Sequence, residues 1–111
     1  MSIYKQDILN YGEDVNDLEN SPFESLRMLH DRTKIQMVLE ELDFDEKVLL
    51  GRYDLKLIEN ANRMVEHISN VYDFELSDEN NIPHEQWWWH LDKIARGNMN
   101  FGVSSELAKI M

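Results

Sequence analysis

The chain has 111 residues, 42% of them hydrophobic and 10% aromatic, with a formal charge of −11 and no cysteine. Without cysteine there are no disulfides, thiolate metal sites or cysteine nucleophiles, and so apolar a composition does not suit a wholly disordered chain. The acidity argues against direct binding to nucleic acid or to an anionic membrane, since both are recognised by basic patches.

The first predicted element is a short helix from Ile3 to Tyr11. Ser2 can cap it, Tyr4, Ile8 and Tyr11 share one face, and Gly12 can end it. Residues 12–20 (GEDVNDLEN) read as an acidic loop. Ser21-Pro22-Phe23-Glu24 then gives a start signal, with Ser as cap, Pro at the first helical position and Glu placed for a capping box. Helical spacing runs on to Leu42, preferably as one helix with a bend near residue 32, where Thr33 and Gln36 could form a second capping box.

Asp43 and Glu46 are spaced to cap a short helix ending at Leu50, with Gly51 as its break. The alternative is a short hairpin near residues 46–55, because Val48, Leu50, Arg52 and Asp54 alternate at period two. Asp54 would cap the strongest helix, Leu55 to Tyr72. There Ile58, Ala61, Val65, Ile68 and Tyr72 repeat at 3, 4, 3 and 4 residues. Residues 73–83 form a second acidic loop. A helix from His84 to Arg96 follows, stopped by Gly97, and a last short helix is expected over Glu106 to Ile110. The expected fold is a single all-α domain, a compact bundle of four to six helices.

The excess charge is concentrated in two places. Residues 1–24 hold Asp7, Glu13, Asp14, Asp17, Glu19 and Glu24 against Lys5 alone; residues 73–86 hold Asp73, Glu75, Asp78, Glu79 and Glu85 with no lysine or arginine. Such patches attract a basic partner. No apolar run reaches the roughly 18–20 residues that cross a bilayer, and the first residues lack a secretory pattern, so the expected location is the cytoplasm.

Chemistry-bearing patterns are sparse. His84-Glu85 opens like a zinc-protease motif, but the next histidine, His90, is six residues away rather than four. On a regular helix those two side chains point roughly 240° apart and cannot share an ion. The acidic run from Asp73 places Asp78 and His84 where a calcium loop needs Gly and Glu. The four glycines do not cluster into a phosphate loop, and no nucleophile motif is present. No catalytic, cofactor or metal residue is therefore assigned.

Trp87-Trp88-Trp89 is the least ordinary stretch. On a helix starting at residue 84, Trp87 and Trp88 straddle the core-facing arc with Leu91, Ile94 and Ala95. Trp89 falls among Asp92, Lys93 and Arg96, where Lys93 could stack on its ring. The functional expectation is a small acidic protein-binding module: an adaptor, inhibitor or regulatory subunit. Its contact surface would be Trp89, Trp88, Lys93 and Arg96 with Asp78, Glu79 and Glu85 of the acidic loop, and homodimerisation through this helix is a close variant. The alternatives are a nucleic-acid mimic that occupies a basic groove, and a small enzyme or metal-binding protein.

Overall fold

The computed structural model describes residues 3–17 and 19–97. Among them lie six α-helices: α1 (Lys5–Asn16), α2 (Pro22–Met37), α3 (Phe44–Glu59), α4 (Ala61–Ile68), α5 (Glu75–Glu79) and α6 (Leu91–Ala95). Two 3-10 turns, Leu39–Glu41 and Trp87–His90, complete the fold, and no strand occurs among the described residues. The all-α bundle is as the sequence implies, and the hairpin alternative at 46–55 is not formed. The helix expected over 106–110 lies outside the described residues.

Gly12 and Gly51, which read as breaks, do not break helices. α1 runs straight through Gly12, because a side chain there is what the packing forbids. A Cβ at residue 12 would stand 2.2–2.5 Å from ring atoms of Tyr53 on α3, so the glycine lets α1 and α3 close on one another. α3 likewise runs through Gly51, where a Cβ would meet nothing within 4 Å. This helix is started by a complete capping box between Asp43 and Glu46 and is held by its buried face, Glu46, Leu50, Asp54 and Leu57. That support outweighs the ~1 kcal/mol that one glycine costs a helix.

Asp54 is therefore an interior residue of α3 and caps nothing. The long helix expected from 55 to 72 is divided at Asn60. Backbone hydrogen bonds continue across it, since its N–H donates to Lys56 O and its carbonyl accepts from Met64 N–H. Its side chain instead donates to Val15 O at 3.1 Å, tying the kink to the last turn of α1. α2 ends at Met37 rather than Leu42, and Thr33 sits within it as an ordinary helical residue. Ser21 does cap α2, accepting from Glu24 N–H with Pro22 in the first turn. The second acidic loop contains α5, and Gly97, at φ 73°, ends α6 as expected.

One contiguous core joins these elements. Ile8, Tyr11 and Val15 of α1 meet Met28, Leu29 and Ile35 of α2, Leu50 and Leu57 of α3, Met64 and Ile68 of α4, and all three tryptophans with Leu91. No helix among the described residues is long and apolar enough to cross a membrane.

Candidate functional site

The tryptophan segment is not the regular helix that its sequence position suggests. Pro83 to Gln86 form a turn, and residues 87–90 follow as a 3-10 turn, opened by a bond from Trp89 N–H to Gln86 O. In a 3-10 turn consecutive side chains diverge by about 120°, so three adjacent indoles point three ways. All three are nonetheless buried, because the turn is enclosed on every side.

Trp89 is only 6% exposed. Its ring lies edge-on to His30 of α2 at 4.9 Å and to Tyr72 at 5.5 Å between centroids. Its indole N–H donates to Thr33 Oγ1 at 2.8 Å, and Trp88 donates to the same oxygen at 2.9 Å. The Thr33 hydroxyl proton goes to Leu29 O at 3.0 Å. One hydroxyl thus satisfies two buried indoles and fills its own bonding capacity.

Trp88 also forms the roof of a buried charged cluster. The Arg32 guanidinium lies 4.4 Å from the centroid of its ring. Arg32 grips Asp54 with two bonds, 2.9 Å from Nε and 3.0 Å from Nη2, and Tyr11 donates its hydroxyl to the same carboxylate at 2.7 Å. Burial, then the Asp54 charge, pushes the Tyr11 phenol well above its ordinary range. Each group of this cluster is engaged with its neighbours. The open groove of about 310 Å³ between α1 and α2, lined by Tyr4, Asp7, Asn10, Asp31 and Lys34 among others, does not include them.

The structure therefore separates the residues that the sequence grouped as one contact surface. Trp88 and Trp89 are core, which corrects the expectation of an exposed aromatic anchor. Lys93 does not stack on Trp89; its ammonium donates to Asp78 Oδ2 at 2.6 Å and approaches His90 Nδ1 at 3.4 Å. That hydrogen bond holds the Asp78 carboxyl below the usual carboxylate range. Arg96 pairs with Asp92 on the surface of α6 at 2.6 Å. Glu79 and Glu85 are exposed.

His84 and His90 are brought together after all, with ring centroids 4.6 Å apart. The 240° separation holds only on a regular helix, and the turn at 83–86 removes that premise.

A second surface feature went unread in the sequence. Phe44 is 79% exposed, Val48 40% and Leu55 38%, all on α3. With Gly51 they repeat at 4, 3 and 4 residues, which confines them to an arc of about 60° on the helix. The row lies opposite the buried face of Glu46, Leu50 and Leu57. Its spacing is that of a helix–helix seam, and half-buried Ile58 extends it by one step. The exposed Lys47, Arg52 and Lys56 flank it, with Asp45 and Glu59. The spacing alone marks this row, but Gly51 reads in sequence as a break. Set against known protein families, curated proteins and solved structures, the chain matches none.

Proposed function

We propose that this chain is a protein-binding module whose docking surface is the outer face of α3. The observation that carries the proposal is the row of exposed Phe44, Val48 and Leu55, with half-buried Gly51 between them. A helix in a small protein normally turns such a row inward, and contiguous exposed apolar surface marks an interaction site. Gly51, at the middle of the row, leaves room for a partner backbone to approach closely.

The partner chemistry follows from the rim. Lys47, Arg52 and Lys56 flank this row together with Asp45 and Glu59, and Lys56 stands 3.7 Å from Glu59, so the rim keeps a net charge of about +1 in a molecule of charge −11. The fitting partner is an amphipathic helix with an apolar stripe and acidic flanks, laid along α3 in the helix-in-groove manner. A second copy fits less well, because it would add one strongly acidic molecule to another.

The test is affinity capture from native lysate with the wild type, with Phe44→Asp/Val48→Asp, and with Glu79→Gln/Glu85→Gln. Both variants alter exposed side chains, so circular dichroism should show unchanged folding. The proposal expects a partner that is lost from the first variant and retained by the second. Retention by Phe44→Asp/Val48→Asp with loss from the acidic variant would return the binding surface to the 73–86 segment and overturn the α3 reading.

A further inference from the structure

We propose that Asp78, His84 and His90 form a binding site for a borderline divalent transition-metal ion, with Zn2+ as the reference case. The side chains come from three local structures: Asp78 from α5, His84 from the turn after Pro83, and His90 from the end of the 3-10 turn. Asn81, at φ 57°, and a bond from Ile82 N–H to Ser77 O fold the chain back so that these segments converge. One ligand atom from each residue lies within 4.8 Å of the others.

His90 is the fixed member. It is fully buried, and its Nε2 lies 2.8 Å from Ile82 O. A carbonyl oxygen only accepts, so Nε2 carries the proton and Nδ1 presents its lone pair to the cluster. A ring N–H held by a backbone carbonyl is the outer-shell arrangement that orients metal-binding histidines. Asp78 and His84 are exposed, and Asp78 can adjust once it gives up its bond to Lys93. Bonds of ~2.0–2.2 Å to a tetrahedral ion need ligand atoms about 3.4 Å apart, so these two must close by little more than an ångström.

The cluster already attracts a cation. The Lys93 ammonium stands against Asp78 Oδ2 and His90 Nδ1, where the ion's charge would be placed. Metal binding therefore displaces Lys93, still protonated, from the end of α6 into solvent. Two imidazoles and one carboxylate favour zinc, cobalt or nickel over calcium or magnesium, which prefer all-oxygen sites. Three protein ligands leave a fourth position for water. The bound ion would clamp α5 to the turn that carries the tryptophans. None of the α3 residues takes part, so this site and the α3 surface stand or fall separately.

The direct test is titration of the tag-free full-length protein with Co2+, read by its visible ligand-field absorption, followed by displacement with Zn2+. The expected result is one Co2+ per chain, removed by Zn2+. His84→Ala alters an exposed ring and should weaken binding by ~10-fold or more, since even outer-shell changes cost that much. Lys93→Met removes the competing ammonium and should tighten binding. The proposal is overturned if the wild type shows no ligand-field band at ~1 mM Co2+, or if His84→Ala titrates with the wild-type midpoint and the same band. A band seen only in Lys93→Met would also overturn it, since Lys93 would then be the site's own cation.

Discussion

Thr33 is the residue on which the tryptophan segment depends. Its single oxygen accepts from Trp88 and Trp89 and donates to Leu29 O. Thr33→Val keeps the shape and orphans two buried indole N–H groups, each at about 1–3 kcal/mol. Chemical denaturation should show that loss, while Thr33→Ser, which keeps the hydroxyl, should retain most of the stability. Trp89→Ala belongs with it: at 6% exposure the truncation should destabilise the fold by about 3–5 kcal/mol. Tyr11 sets a pH dependence. Its phenol is pushed well above the ordinary 10.0 by burial and then by Asp54, so the folded state holds this proton more tightly than the unfolded chain. The resulting stability is intact below pH 10 and is lost as pH rises beyond it, by about 1.4 kcal/mol per pH unit. Unfolding curves from pH 9 to 11 should show that slope in the wild type, and Tyr11→Phe should lack that part of it.

At the scale of elements, the two interior helix glycines make opposite predictions. Gly12→Ala forces a methyl into the Tyr53 ring and should cost about 1–3 kcal/mol. Gly51→Ala enters open space and should stabilise α3 by roughly 0.5–1 kcal/mol. Thermal unfolding of the pair distinguishes them. The same two residues show how far the elements were legible. Caps are local chemistry, so Ser21 and the Asp43–Glu46 box were readable, as was the amphipathic spacing of α2 and of residues 58–68. A glycine that serves a helix crossing looks identical in sequence to one that ends a helix; only Tyr53, 41 positions away, tells them apart. Asp54 resembled a cap because its partner Arg32 lies on another helix. The segment from 84 to 90 departs from the helix expected from His84 because the backbone turns over 83–86 first. That one change buried Trp89 and brought His84 to His90.

Across the whole molecule, charge and burial divide the labour. The apolar core uses all three tryptophans, so none of them is a surface anchor. The acidic residues of 73–86 lie before, along and after α5, and one of them, Asp78, is drawn into a cluster with two histidines and Lys93. α3 presents an apolar row on the outside, flanked by Lys47, Arg52 and Lys56 with Asp45 and Glu59. Its four residues are spread over about 16 Å of helix, a suitable length for three turns of a partner helix. If this row is a docking surface, it should be covered when the partner is present, while the acidic segment should stay open. Site-specific photo-crosslinking in native lysate reads this most directly, with a benzophenone side chain placed at Val48, at Leu55 and at Glu79 in separate preparations. One shared adduct of larger mass is expected from Val48 and Leu55, and none from Glu79. An adduct from Glu79 with none from α3, or an α3 adduct of twice the chain's own 13.2 kDa, would contradict this expectation.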